Sequence, residues 1–333
     1  MPAAELRKVD ASALDALDQT LLASAELVVL RGLVRHWPYV AQALASQQQG
    51  AAGLMRFYRG ETVTAMLGAP ELGGRFFYNE AMNGFNFAQA RVQLPAVLAE
   101  LEKHRHTPQA PTVYVGSTTV DSCLPGFRAE NDVDLGARDA LASIWIGNRS
   151  CIAAHYDVPD NLACVAAGRR RFTLFAPHDL ENLYIGPLDF TPAGQPVSLV
   201  DIRQPDLARF PKYARARPLV AELGPGDAMF IPSMWWHHIE ALDAFNVLVN
   251  YWWRQMPDFV DTPTSALMHA LMTVRDLPPA QRAAWQELFR HYVFEADAST
   301  AAHIPPAARH VLGPLDDKAM RVMRAQLLKK INR

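Results

Sequence analysis

Between residues 112 and 253 the apolar residues of this chain never run long. They come as "ASIWIG", "CIAAHYD", "NLACVAAG", "RFTLFAP", "DAMFIP" and "FNVLVNYWW", each cut short by Gly, Pro, Asn or Asp. Such segments are too short for helices that bury a stripe, and their β-branched and aromatic content suits a pleated surface. A succession of them, punctuated by turn residues, folds as an all-β sandwich or barrel. The flanks have another texture. "ELVVLRGL" (26–33), "GRFFYN" and "TVYVGS" look like strands, while "WPYVAQALAS" and residues 94–104 carry helical spacing, the first with Pro38 in its opening turn. Residues 10–23 also carry helical spacing, with Asp10 and Ser12 as caps. Beyond 256, "SALMHALMTVRDL", "PPAQRAAWQELFRHYVFE" and "PLDDKAMRVMRAQLLKKINR" are helical, the last with acids at its start and Lys/Arg at its end, as the helix dipole prefers. The expected organisation is an α/β segment over 1–111 packing on the barrel, a β core over 112–255 and a helical extension over 256–333.

Bulk properties narrow the function. The chain has 333 residues, 50% of them hydrophobic, enough for one large core with an appended helical piece. A formal charge of −2 speaks against a broad electrostatic grip on nucleic acid. Cys123, Cys151 and Cys164 are scattered with no CxxC, so free thiols in a reducing compartment are expected. There is no run of signal-peptide type and no stretch of ~18 apolar residues. The expectation is a soluble, cytoplasmic protein with no membrane partner.

Inside the β region, "AAHYDVPDN" holds His155 and Asp157 two apart. On a strand, positions i and i+2 face the same way, so both can reach one ion. In a chain with 11 histidines a His-x-Asp pair is by itself a common coincidence. The second element, "GPGDAMFIPSMWWHH", adds a tight turn, an apolar strand and two adjacent histidines, His237 and His238. Two histidines and a carboxylate hold one face of an octahedral ion and leave the other face open, an arrangement that suits non-haem Fe(II). Zinc more often takes a closed tetrahedral set.

In "GRRRFTLF" the arginines divide by parity. Arg169 and Arg171 fit a solvated turn. Arg170 shares parity with Phe172 and Leu174, which puts a guanidinium indoors, where it needs a partner. Its planar fork matches a carboxylate. Asn250 likewise shares an apolar face with Leu248 and Trp252 and needs a partner of its own.

Residues 145–253 resemble the JmjC or cupin-like family of Fe(II)- and 2-oxoglutarate-dependent oxygenases, most of all its protein asparaginyl hydroxylases. The matching stretches are "AAHYDVPDNLACVAAGRRRFTLFAP", "ENLYIGPLD", "PDLARFPKY", "LGPGDAMFIPSMWWHHIEAL" and "VLVNYWW". The N-terminal third fits more loosely through "VVLRGLVRHWP", and the helical tail hardly at all. The resemblance implies a mainly β protein with flanking helices around a double-stranded β-helix, the jelly roll of cupins. It implies His155, Asp157 and His237 as iron ligands, with His238 packed beside them on the other strand face together with Trp236, and Trp235 on the side of His237. It implies 2-oxoglutarate held by Arg170, where relatives commonly carry lysine, with Tyr114, Asn161 and Asn250. One position departs: Ile152 stands where those hydroxylases have a threonine three residues before the first metal histidine. A hydroxyl donor is lost, which bears on the oxoacid preferred. Trp252, Trp235, His238 and Tyr78 are the residues expected behind the ligands or toward the substrate. "RFFYNEAMNGFNF" (75–87) either lines a substrate groove or packs.

The implied reaction consumes O2 and decarboxylates 2-oxoglutarate to succinate and CO2 while a C–H bond is hydroxylated, with a protein or peptide side chain as the leading substrate. Alternatives are RNA, methyl-lysine or a small molecule as substrate, a vestigial cupin-like binding protein, or a zinc or manganese isomerase. Leu267, Leu271, Val274, Trp285, Leu288 and Phe289 give the tail apolar faces, from which a homodimer built beyond residue 256 is expected.

Overall fold

Residues 6–12, 17 and 19–332 are described in a computed structural model. Two sheets carry the architecture. The larger runs in the order β1 (Arg7–Asp10), β2 (Val28–Arg31), β12 (Ala228–Ile231), β9 (Asp160–Ala167), β14 (Asn246–Trp253), β7 (Leu141–Gly147), β6 (Thr112–Thr119), β3 (Thr62–Gly68), β5 (Ala88–Gln93). The smaller runs β11 (Leu219–Leu223), β10 (Arg170–Phe175), β13 (Trp236–Ala241), β8 (Cys151–His155), β4 (Arg75–Phe76). Pairing is antiparallel except between β1 and β2 and between β4 and β8. From β7 onward the chain crosses repeatedly from one sheet to the other, the winding of a cupin-type jelly roll.

Between the sheets, Ala163, Val165, Met229, Ile231 and Leu248 of the large sheet meet Phe172, Leu174, Ala221 and Leu223 of the small one. The outer face of the large sheet is covered by helices at Pro38–Ala45, Gln47–Phe57 and Leu94–Lys103, whose Val40, Leu54, Val97 and Leu101 pack with Leu162, Cys164, Val249 and Trp253. Strand β9 is therefore buried on both faces along its whole length, and after Asp160 and Asn161 its sequence is a continuous apolar run rather than an alternation. The three cysteines are free and buried.

The helix expected over 10–23 is shorter in the described part, Gln19–Leu22. Residues 13–16 and 18 lie outside the described residues. Asp10 ends β1, and its carboxylate accepts the amide and hydroxyl of Ser12.

The chain divides into two compact units, Met1–Gln255 and Met256–Arg333. The second consists of helices at Pro263–Thr273, Pro279–Phe289 and Asp317–Ile331, with a π-helical turn at Arg290–Phe294 and 3-10 turns at Pro306–Ala308 and His310–Leu312 before the last, which Asp316 caps. Among its described residues Ala301 alone is buried, while Met272 and Phe294 are 71% and 79% exposed. Among the described residues no helix is long and apolar enough to cross a membrane.

Candidate metal centre

Two segments converge at the open end of the jelly roll. Strand β8 ends on His155, and Asp157 follows in the turn. Strand β12 is launched by the "GPGD" turn, where Gly226 sits at φ +98° and the Asp227 carboxylate accepts the amides of Gly32 and Gly224. After β12 the chain reverses through Pro232–Met234 and enters β13. That reversal is tied to the Asp157 turn three times. The Ser233 amide donates to Asp160 Oδ1 at 2.9 Å, the Ser233 hydroxyl to the Val158 carbonyl at 2.6 Å, and the Met234 amide to the Asp157 carbonyl at 2.9 Å. Met234 accepts a left-handed φ of +68° to do so. A register slip between His237 and Ile239 then sets His237 directly opposite His155. Bulges of this kind re-aim side chains at functional sites.

His155, Asp157 and His237 each offer a ligand atom, all within 4.8 Å of one another. The imidazole centroids are 4.4 Å apart, and His237 Nε2 is 3.6 Å from Asp157 Oδ2. The Nδ1 of His155 lies 2.9 Å from the Ala153 carbonyl, and that of His237 lies 3.0 Å from the Trp235 carbonyl. A carbonyl only accepts, so Nδ1 carries the proton on both rings and each Nε2 presents a lone pair. Burial, reinforced by the neighbouring His155, depresses the His237 pKa, with Asp157 opposing. A neutral imidazole is the form a metal needs.

His238, on the other face of β13, meets none of this. It is 2% exposed, with Nε2 3.9 Å from Cys151 Sγ and 3.9 Å from Glu240 Oε1. Burial takes it down to about 4. Trp235 shares the side of His237 and packs into the core between the sheets, and Trp236 packs with Ala154 and Phe175 on the far side.

The triad opens on a cavity of about 310 Å³ lined by Tyr114, Ile152, Asn161, Arg170, Asn250 and Trp252 among others. Arg170 is 1% exposed and lies beside the Tyr114 hydroxyl. Burial lowers its pKa and raises that of Tyr114 to about 12. Arg169 and Arg171 remain outside, paired with Asp243 and with Glu222 and Glu240. Ile152 faces Ile239 across the β8–β13 ladder, and both wall the cavity. Tyr78 is not part of that lining. Its hydroxyl donates to the Phe190 carbonyl at 2.6 Å inside an aromatic cluster with Phe85. Within 75–87, Asn86 is spent on the backbone of Phe77 and Arg75, and Asn79 on Asn83, while Phe76 and Phe87 reach the cavity.

Three residues on the cavity wall carry buried polar atoms with no partner: Arg170 Nε, Asn250 Oδ1 and Trp145 Nε1. Unsatisfied buried groups gathered around one space fit a polar ligand better than a packed core. Trp145, Ile239 and Gln195 were not singled out from the sequence. The first two reach the cavity through cross-strand register, and Gln195 sits in a loop with no periodic signal.

The model of the cupin-like domain matches residues 15–259. The chain belongs to the cupin-like family. Among curated members with which this cupin-like chain aligns, human tRNA wybutosine-synthesizing protein 5 is 36% identical over 143 residues, 38% of this chain and 43% of that protein. Lysine-specific demethylase 8 of Xenopus tropicalis is 28% identical over 233 residues, 68% of this chain and 47% of the other. HSPB1-associated protein 1 of Rattus norvegicus is 32% identical over 147 residues, 42% and 30% respectively. The alignments thus span less than half the length of each of these relatives.

Proposed function

We propose that this chain is an Fe(II)- and 2-oxoglutarate-dependent oxygenase that hydroxylates a C–H bond, with a protein or peptide side chain as its substrate. The observation that carries the reading is the pair of imidazoles locked with Nε2 outward beside a carboxylate, on a cavity that also holds a buried, incompletely paired arginine. A closed zinc site offers no such second anchor. His155, Asp157 and His237 would hold the iron, and Arg170 with Tyr114 would hold the far carboxylate of 2-oxoglutarate. Iron bound there supplies the power to reduce O2 with electrons from the oxoacid and to oxidise a C–H bond. The residues of the chain do the rest. Arg170 matches a carboxylate charge in a space where water competes weakly. Ile152, Ile239 and Leu248 exclude water from the oxoacid chain, and Asn161 and Asn250 offer amide groups near the ligands.

The polypeptide substrate is supported by the absence of any strong net positive charge, since the formal charge is −2. Similarity to tRNA wybutosine-synthesizing protein 5 favours RNA as the second reading. Incubating the protein with Fe(II) and 2-oxoglutarate and following succinate tests the activity. Succinate that needs both O2 and the metal is expected, and peptide pools or total tRNA that stimulate it identify the substrate class. No succinate from metal-loaded protein under any of these conditions would sink the oxygenase reading.

We also propose that two copies pair through residues 256–333. Support comes from the exposure of Met272, Trp285, Phe294, Val311, Leu328 and Ile331 in a unit that buries almost nothing. Helices that bury so little cannot offset the entropy of ordering them. Sedimentation equilibrium is expected to give twice the chain mass, and a monomer at micromolar concentration would overturn the proposal.

A further inference from the structure

A carboxylate is the least constrained of the three ligands, because it has two oxygens and turns about its own axis. Asp157 has little freedom to turn. The indole N–H of Trp252 donates to its Oδ2 at 3.1 Å, and the Asn161 amide donates to the same oxygen at 3.2 Å. Asn161 is set in turn by Asn250, whose Nδ2 donates to Asn161 Oδ1 at 2.6 Å. An indole N–H only donates and an ionised carboxylate only accepts, so Asp157 sets the direction: Asn161 turns its N–H to the acid and accepts from Asn250 through its oxygen. The donors sit on adjoining strands, Trp252 opposite Asn161. The indole is itself held edge-on by Trp145, at 5.9 Å and 88°, and Trp145 stacks on Tyr114.

We propose that Trp252 is a positioning residue for the metal carboxylate: its N–H holds Asp157 in the orientation that meets His155 and His237. The role rests on the reading that the triad binds a divalent ion, and it needs neither 2-oxoglutarate nor turnover. Partners of metal-bound carboxylates are hydrogen-bonded in just this supporting way, and their loss typically weakens the metal about 10- to 100-fold. Asn161 alone leaves Asp157 a single donor on one side.

The test is Mn(II) binding to the chelator-treated full chain, followed by electron paramagnetic resonance. Trp252→Phe is expected to weaken Mn(II) by about tenfold or more. Trp253→Phe is the control, because that ring lies on the opposite strand face against Phe230 and its N–H has no partner. It should leave Mn(II) affinity unchanged even if it lowers Tm. The Co(II) visible spectrum should change with Trp252→Phe and not with Trp253→Phe. A second comparison removes the ring altogether: Trp252→Gln, which keeps a side-chain donor, should bind Mn(II) more tightly than Trp252→Met. Wild-type affinity in Trp252→Phe, equal losses in both phenylalanine variants, or equal binding by the Gln and Met variants overturns the proposal while leaving the oxygenase reading intact. Failure of the wild-type chain to bind Mn(II) overturns both.

Discussion

The two faces of the small sheet carry the same residue types and put them to different use. On β13, His237 looks inward and His238 outward; on β10, Arg170 looks inward and Arg171 outward. Both histidines are buried deeply enough to be pushed toward the neutral form. Burial therefore does not separate them. What separates them is company. His237 faces a second imidazole and a carboxylate within 4.8 Å, on an open cavity. His238 faces a thiol and a distant Glu240 and does not line the cavity. The arginines divide in the opposite manner, by solvation. Arg171 stays exposed between Glu222 and Glu240, whereas Arg170 is enclosed with only Tyr114 beside it. A buried charge left so poorly paired costs stability unless a ligand completes it.

The sharpest way to break this comparison is to exchange the roles of the two histidines. His237→Ala should abolish detectable Mn(II) or Fe(II) binding by calorimetry, because two ligands no longer define a face of the ion. His238→Gln should bind within a few-fold of wild type. Loss of metal in the second variant with the first unaffected would assign the ligand to the other face. The arginine pair comes next. Arg170→Ala should weaken 2-oxoglutarate by about 3 kcal/mol, roughly 100-fold, as expected for removing one side of a buried charge pair. Mn(II) affinity should stay the same, and Arg171→Ala should change neither. Equal effects of the two alanines would show that the cavity guanidinium does not meet the oxoacid.

How far these faces were legible beforehand depended on whether the determinant was local. Of the strands from 141 to 253, those of the large sheet stood out because β9, β12 and β14 are covered on both faces and are mostly apolar, whereas β11, with an exposed outer face, did not. Strand β3, with a burial pattern alternating between exposed and buried, and the polar β5 "AQARVQ" did not. The helix Gln47–Phe57 was hidden by its glutamines and glycines, yet glycine is what lets it approach its neighbours. A Cβ at Gly53 would stand 3.1 Å from the Tyr39 ring, and one at Gly50 3.0 Å from Phe245. At the site, Arg170 with Phe172 was visible through alternation along one strand, while His155 and Asp157 were visible through their spacing, although β8 ends at His155 and Asp157 lies in the turn beyond it. The choice between His237 and His238 needed the family resemblance, because the slip that aims His237 arises from pairing with β8. Trp145 and Ile239 also depend on partners far away in the chain, and local pattern has no access to them.

A third prediction uses acid. His238 has its pKa lowered to about 4 from 6.5 by burial, so the unfolded chain binds its proton first as the pH falls. Its contribution to stability is intact above about pH 6.5, declines as the pH drops from there, and levels off below about pH 4, once the folded form is protonated as well. The whole effect amounts to at most about 3 kcal/mol. Urea midpoints of metal-free protein should therefore fall between pH 7.5 and pH 5, and they should fall less in His238→Gln. Identical pH slopes would mean that the outward histidine is not held neutral, and the two faces would then differ in protonation as well as in company.

The smallest effect is expected at Ile152, where the inner face departs from the hydroxylases the chain resembles. Ile152 and Ile239 face one another and wall the cavity near Arg170, whose Nε has no partner. Ile152→Thr keeps the branch at Cβ and exchanges an apolar end for a hydroxyl. If that hydroxyl reaches the oxoacid carboxylate, it adds one hydrogen bond worth about 1 kcal/mol, which tightens 2-oxoglutarate roughly fivefold. Mn(II) affinity should not move, because Ile152 is not among the ligand-bearing residues. A weaker 2-oxoglutarate complex would point the other way. The paired isoleucines would then be recognising the methylene chain of the oxoacid, and apolar contact rather than a second donor would set which oxoacid the cavity prefers.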